Sequence, residues 1–174
     1  MGRILIVYYS RTGHTKRLAQ ELARRCDADL ERIGERGSRR GAGGYLRSSV
    51  EAMLGWRPPL KPARHNPRDY DLVILGTPVW FWNMSSPMRA WIHRHRDDLT
   101  QVAMFCTYGG SGYTDALDGM ERLCGHAAVA RLALTQSAAE QCQHDPALDR
   151  FLLELGGMGS AGVASDADQG RAHA

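Results

Sequence analysis

The chain has 174 residues, of which 43% are hydrophobic and 24% charged, and its formal net charge is +3. These values are typical of a globular protein with one buried core, and no apolar run approaches the length of a membrane span. We therefore expect one soluble domain, in which the short apolar run near the N-terminus is a core strand and not a signal peptide. Four cysteines without paired metal spacing indicate buried thiols in a reducing cytoplasm.

The first predicted elements are a strand and a helix joined by a polar turn. The apolar run Ile4–Val7 is typical of a parallel strand that helices cover on both faces. Apolar residues spaced three and four apart predict an amphipathic helix from Gly13 to about Cys26, with Thr12 as its N-cap. The turn contains three hydroxyls and a glycine, namely Ser10, Thr12, Thr15 and Gly13. Because a helix N-terminus leaves backbone N–H groups unpaired, the turn predicts an anion site.

This turn is neither of the two best-known nucleotide loops. It lacks the paired glycines and the lysine of an ATP-binding loop, and it has one of the three glycines of a dinucleotide fingerprint. An ordinary strand-to-helix turn rich in small polar residues is the alternative reading of this stretch.

The rest of the chain alternates strands and helices. Strands are predicted at 30–33, 72–76, 102–107 and 128–135, and helices near 45–54, 88–96, 115–123 and 146–155. This alternation predicts an α/β fold, an open parallel sheet with helices on both faces. We expect a single domain over 1–156 and, because large apolar residues are scarce beyond it, a disordered tail over 157–174.

A long connection, Gly34–Pro67, is rich in Gly, Arg and Pro. Its basic residues could attract nucleic acid or an acidic partner. They are not interleaved with the aromatic residues of a nucleic-acid reader, so we expect a solvated face and no nucleic-acid binding.

Two further loops follow the third and fourth strands. The first contains three aromatic residues, Trp80, Phe81 and Trp82, and the second contains the glycine-rich stretch Gly109–Gly112. Because ligands bind at the carboxyl edge of an open parallel sheet, both loops should converge with the hydroxyl-rich turn. Aromatic residues suit a flat apolar ligand, and glycines let backbone N–H groups approach a polar ring edge.

In its order of loops the chain resembles the flavodoxin-like family, whose first loop reads Ser/Thr-x-Thr-Gly-x-Thr. The resemblance covers roughly residues 1–155 and implies a five-stranded, three-layer doubly wound fold of strand order 2-1-3-4-5 with FMN at the switch point. It implies phosphate contacts from Ser10, Arg11, Thr12, Gly13, His14 and Thr15. It implies that the N5 side of the ring is bordered by Thr77, Pro78, Val79, Trp80, Phe81, Trp82 and Asn83. It implies that the pyrimidine edge and the other ring face are held by Thr107, Tyr108, Gly109, Gly110, Ser111, Gly112 and Tyr113.

The chain departs from the electron-carrying flavodoxins in three respects. His14 stands where those proteins usually have Asn. The loop from Thr77 to Met84 has no glycine to ease backbone reorientation beside N5, and Trp80–Trp82 should resist left-handed geometry. The calculated pI of about 8.8 also differs from the acidic character of such carriers.

The second and third departures favour an FMN-dependent oxidoreductase that passes two electrons from NADH or NADPH to a quinone or a similar small acceptor. The alternatives are a flavodoxin-type electron carrier and a flavin-free binding module with the same fold. A flavodoxin-like dehydrogenase acting on a porphyrin precursor also fits the fold, and nothing in the sequence selects it. We assign no catalytic residue, although Tyr113 and His14 are candidates for a proton donor.

Other clusters receive plainer interpretations. His93 and His95 lie two apart on a helix and point to different faces, so we expect no shared metal ion. Cys106 lies on a core strand, where packing is its expected role. We expect Trp56 or Trp91 to be exposed, where either could belong to a homodimer surface.

Overall fold

The computed structural model describes residues 2–35 and 57–161, except for the side chains of 158–161. The strands are β1 (Ile4–Tyr8), β2 (Asp29–Arg32), β3 (Leu72–Trp80), β4 (Asn83–Met84), β5 (Val102–Tyr108) and β6 (Arg131–Thr135). The helices are α1 (His14–Cys26), α2 (Ser86–His95), α3 (Tyr113–Cys124), α4 (Gln136–Glu140) and α5 (Pro146–Ala161). Short 3-10 turns occupy Pro67–Asp69, Arg96–Asp98 and Cys142–His144.

Five of the strands form a parallel sheet in the order β2-β1-β3-β5-β6. This confirms the predicted order 2-1-3-4-5, because the two-residue strand β4 lies off this path and pairs antiparallel with β3 alone. The order reverses between β1 and β3, where Ile6 pairs with Ile74. In such a sheet the crevice at the reversal is the expected place for a ligand.

Alternate residues of each strand enter two separate cores, one on each face of the sheet. Ile6 of β1 packs in the core that α1 and α5 cover, whereas its neighbours Leu5 and Val7 pack in the core that α2 and α3 cover. Both faces are therefore buried, as the continuous apolar runs of the parallel strands predicted. The result is the expected three-layer arrangement.

Some element bounds differ from those predicted. β3 continues four residues beyond Gly76 because it pairs with β5 as far as Pro78 and then folds back onto β4. β6 begins at Arg131, three residues late, and the backbone N–H of Ala128 instead donates to Glu121 Oε1 at 2.8 Å. The last helix runs to Ala161, past the predicted domain end at 156.

The prediction that Trp91 is exposed is wrong. Its side chain is only 3% exposed, because α2 is buried around most of its circumference and Trp91 faces the α2–α3 core. The predicted helix over 45–54, Trp56 and residues 162–174 lie outside the described part of the chain. Among the described helices, none is both long and apolar enough to cross a membrane.

Candidate functional site

The predicted anion turn lies between β1 and α1 at the carboxyl edge of the sheet. The backbone N–H of Gly13 donates to Ser10 Oγ at 3.2 Å, and this hydrogen bond closes the turn. Gly13 has φ 110°, a value that glycine adopts without a steric penalty. Gly13 therefore occupies the N-cap position, and the prediction of Thr12 as N-cap is wrong. The positive φ places α1 one residue later than the hydroxyl pattern implied.

The start of α1 is open to an anion. In the described part of the chain no side chain caps it, and its first turn contains no acidic residue. Its first backbone N–H groups and the positive end of the helix dipole therefore remain available to a negatively charged ligand. Thr12 is exposed at this opening, whereas Ser10 is buried beneath it.

Thr15 connects this turn to the neighbouring strand β5. Its hydroxyl lies 2.8 Å from the hydroxyl of Thr107, and both side chains are 2% exposed. The bond fixes the first turn of α1 against the end of β5. Of the predicted phosphate-binding hydroxyls, that of Thr15 thus also has a structural partner.

His14, the first residue of α1, faces an element that the sequence analysis did not predict. Its Nδ1 lies 3.4 Å from Oε1 of Glu140, at the end of α4. Arg17 Nη1 donates to the backbone carbonyl of Glu140 at 3.1 Å. The short helix α4 is therefore anchored beside the open end of α1.

The aromatic loop forms a tight hairpin between β3 and β4. Trp80 pairs with Asn83, and Phe81 and Trp82 form the two-residue turn with φ values of 47° and 56°. A turn with both central residues in the left-handed region matches the right-handed twist of a hairpin, and glycine or asparagine usually occupies it. The expectation that Trp80–Trp82 would resist left-handed geometry is wrong for Phe81 and Trp82, because strand pairing on both sides imposes it.

Hydrogen bonds at the base of the hairpin hold this turn. The hydroxyl of Thr77, which is fully buried, accepts from the backbone N–H of Ser85 at 2.9 Å and lies 3.0 Å from Ser85 Oγ. Oδ1 of Asn83 accepts from the N–H of Met84 at 2.9 Å. Phe81 and Trp82 remain 51% and 57% exposed above this base.

The glycine-rich loop packs directly against the aromatic turn. Gly112 has φ 84°, and a Cβ at this position would lie 2.6 Å from Trp82 Cδ1 and 2.7 Å from Trp82 Cα. Only glycine permits this approach. On the far side of the loop the rings of Tyr108 and Tyr113 stack at 4.8 Å between centroids.

The two loops enclose an open cleft of about 250 Å³. The residues lining it all belong to the predicted site, and they are Val79, Phe81, Trp82, Gly109, Gly110 and Ser111. The Thr15–Thr107 bond places the turn that begins α1 next to the strand that carries the glycine loop. The structure thus brings the three predicted loops to one edge of the sheet.

Burial shifts the pKa of two groups near the cleft. Burial raises the pKa of Cys106 to about 12, so its thiol stays protonated at neutral pH and behaves as a packing group. Burial, together with the neighbouring Tyr113, raises the pKa of Tyr108. Tyr108 is therefore a neutral phenol in the physiological range.

Sequence reasoning missed two contributors to this edge. Tyr9 follows β1, packs edge-on against Trp80 at 5.5 Å between centroids and donates its hydroxyl to Glu35 Oε1 at 2.7 Å. The other is α4, whose Gln136 Nε2 comes within 3.9 Å of the place a Cβ would take on Gly109. Its one sequence signal is Thr135, whose hydroxyl accepts from the N–H of Ala138 as a typical N-cap.

The fold is that of a doubly wound α/β protein, and the cleft lies at the carboxyl edge of its sheet. The flavodoxin family profile matches residues 3–143, and the chain belongs to the flavodoxin family.

Solved structures of flavoproteins share this fold. A flavoprotein of Lactobacillus acidophilus, solved in complex with FMN, superposes with a TM-score of 0.67 at 22% identity and covers 81% of this chain and 98% of its own. A protein described as a flavoprotein from Bacteroides eggerthii superposes with a TM-score of 0.69 at 25% identity, covering 87% and 99%.

A curated relative extends the comparison to an enzyme. An NAD(P)H dehydrogenase (quinone) of Chromohalobacter salexigens is 32% identical over 97 residues, which are 51% of this chain and 45% of that protein. The chain therefore matches less than half the length of that relative.

Proposed function

We propose that this protein binds FMN and transfers two electrons from NADH or NADPH to a quinone or a similar small acceptor. The observation that carries the proposal is the cleft between the Phe81–Trp82 turn and the Gly109–Ser111 loop, adjacent to the open start of α1. Family membership and the FMN-bound Lactobacillus flavoprotein support the choice of cofactor.

The phosphate end of the cofactor has a suitable set of donors. The uncapped N–H groups of α1 and the exposed hydroxyl of Thr12 provide neutral donors around Gly13, which has no side chain in the way. Among the described residues other than its chain neighbours, no atom lies within 4 Å of the place a Cβ would take on Gly13, so a ligand oxygen has room to approach. A helix N-terminus with these properties suits a phosphate.

The ring end also fits a planar group. Phe81 and Trp82 present exposed apolar faces to the cleft, and Gly109 and Gly110 carry backbone groups without side chains on the opposite side. A bound FMN would supply the ring that accepts and returns hydride. The residues lining the cleft would hold that ring, and the backbone N–H groups of the glycine loop would be available to its polar edge, where negative charge develops.

The choice of donor and acceptor rests on the curated relative, the charge of the chain and the lining of the cleft. The curated relative is named for NAD(P)H and quinone, and the calculated pI of about 8.8 differs from that of acidic electron carriers. An open cleft lined by aromatic side chains suits the flat rings of a nicotinamide or a quinone.

Reduction followed by visible absorbance tests the reaction. FMN-loaded protein is mixed rapidly with NADH or NADPH under anaerobic conditions, and a quinone is then added. We expect the flavin absorbance to bleach within the mixing experiment and to return with the quinone. Absence of bleaching with both donors would contradict the oxidoreductase proposal.

A matched pair of variants tests the phosphate end. We expect Thr12→Ala to weaken FMN binding about tenfold, because it removes one hydrogen bond to a charged oxygen. Riboflavin, which lacks the phosphate, should bind the variant and the wild type equally. Thr100→Ala, which removes an exposed hydroxyl far along the chain, serves as the control. Equal FMN affinity in all three proteins would remove Thr12 from the site.

A flavodoxin-type electron carrier is the second candidate, and one observation bears on it. Phe81 and Trp82 adopt left-handed geometry without glycine, so the absence of glycine from this loop no longer separates the chain from the electron carriers. Stepwise reduction distinguishes the two candidates. Reduction that halts after one electron equivalent, without turnover of a nicotinamide, would favour the carrier.

A further inference from the structure

The helix α4 lies between the last strand and the last long helix, and it reaches across to the open start of α1. The N-cap bond of Thr135 begins it, and the bond from Arg17 to the carbonyl of Glu140 anchors its end. Gln136, at its first turn, lies beside Gly109 of the glycine loop. One short element thus borders both the phosphate turn and the ring loop.

The side chain of Glu140 is directed toward one residue of this region. It lies 3.4 Å from Nδ1 of His14, whose side chain is 24% exposed, while the carboxylate itself is 54% exposed. A carboxylate on one ring nitrogen of a histidine fixes the ring orientation and favours a proton on that nitrogen. The other nitrogen, Nε2, is then the atom that can face a ligand.

The charges around the pair are compatible with this arrangement. Arg17 stands one turn further along α1 and is tied to the backbone of α4, while the first turn of α1 itself has no acid. Glu140 therefore places a carboxylate beside the imidazole of His14, on the element that faces the open start of α1. Its position on a different element means that it can hold the imidazole without occupying the opening.

We propose that Glu140 is a positioning residue, which orients the imidazole of His14 toward the phosphate of the bound flavin nucleotide. The inference rests on the proposed FMN site and deepens it. Glu140 does not touch the ligand and acts only through His14. Its contribution should be modest, because the side chains of His14 and Glu140 are both partly exposed to solvent.

Flavin titrations of the apoprotein, followed by quenching of flavin fluorescence, test this role without relying on turnover. We expect Glu140→Ala to weaken FMN binding about three- to fivefold and to leave riboflavin binding unchanged. Glu140→Gln, which retains an oxygen acceptor at the same place, should restore most of the FMN affinity. Glu154→Ala, which removes an exposed carboxylate from α5, should leave both affinities unchanged.

A double-mutant cycle separates positioning from a general structural effect. His14→Ala should weaken FMN binding, and Glu140→Ala should cause no further loss in that background. Additive losses, an equal loss of riboflavin affinity, or tighter FMN binding by Glu140→Ala would each overturn the assignment. Thermal unfolding of each variant verifies that the fold is retained.

The FMN site and the positioning role of Glu140 can be refuted separately. Wild-type protein that binds neither flavin would refute the FMN site, and the role of Glu140 with it. Wild-type protein that binds FMN, together with a Glu140→Ala variant of the same affinity, would refute the role of Glu140 alone.

Discussion

At the scale of single residues, the aromatic turn combines backbone strain with exposed apolar surface. Phe81 and Trp82 both have positive φ, which costs L-residues roughly 1–2 kcal/mol each. Backbone strain of this kind persists where the surrounding structure imposes it and is concentrated at functional sites. Here the imposing contacts are the Trp80–Asn83 pair and the approach of Gly112 to Trp82. The strained backbone of this turn therefore depends on contacts from the rest of the fold.

Two glycine variants of the same loop test that contact. Gly112→Ala should lower the free energy of unfolding of the apoprotein by about 1–3 kcal/mol, because its Cβ meets Trp82 and its φ of 84° is unfavourable for alanine. Gly110→Ala is the matched control, since no atom of the described chain beyond its two neighbours lies within 4 Å of its added Cβ. Urea denaturation gives the free energy of unfolding of both variants. Equal effects from the two substitutions would show that Trp82 does not rest on Gly112.

At the scale of elements, α1 and β5 are joined at the site by one buried hydrogen bond. Thr15 and Thr107 are each only 2% exposed, so their hydroxyls bond to each other and not to water. The bond fixes the turn before α1 against the strand that carries the glycine loop.

Valine substitutions test this bond at nearly constant side-chain volume. Thr107→Val should destabilise the apoprotein by about 1–3 kcal/mol, because it leaves the Thr15 hydroxyl buried without its partner. The double variant Thr15→Val/Thr107→Val should lose less than the sum of the two single losses, because no hydroxyl is then left unpaired. Chemical denaturation of the three variants gives the coupling energy. Strict additivity would mean that the two hydroxyls are not bonded to each other.

At the scale of the whole molecule, a cluster of charged side chains joins α1 to α5 within one layer. The carboxylate of Glu21 is buried and accepts from Arg24 Nη2 at 2.7 Å and from Arg25 Nε at 2.9 Å. Arg25 also donates to Asp149 of α5 and to the backbone carbonyl of Gln143. The hydrogen bond from Arg24 is the main cause of the lowered pKa of Glu21, and that from Arg25 adds to it.

The lowered pKa of Glu21 predicts a loss of stability in acid. A carboxyl whose pKa is depressed on folding stabilises the native state fully above its ordinary pKa of 4.5. That contribution is lost as the pH falls through the lowered pKa. The difference in melting temperature between wild type and Glu21→Gln should therefore be largest near neutral pH and narrow below about pH 4.5. Thermal unfolding between pH 3 and 7 measures it, and a difference that is constant with pH would contradict the prediction.

The parallel sheet and the three loops at its carboxyl edge could be predicted from the sequence, because they follow from local causes. Continuous apolar runs such as Ile4–Val7 suit strands buried on both faces, and hydroxyls and glycines are concentrated in the turn before α1 and the loop after β5. The motif Ser10–Thr15 and its resemblance to flavodoxins then gave the strand order, which the register of β1 with β2 and β3 confirms.

The way in which these loops and the neighbouring helices pack together is visible only in the tertiary structure. Strand pairing on both sides imposes the left-handed turn at Phe81 and Trp82, although local propensity argued against it. The contact of Trp82 with Gly112 and the position of Glu140 beside His14 bring together residues that are far apart along the chain, so sequence spacing carried no signal for them. In each case long-range packing outweighs the preference of a single residue.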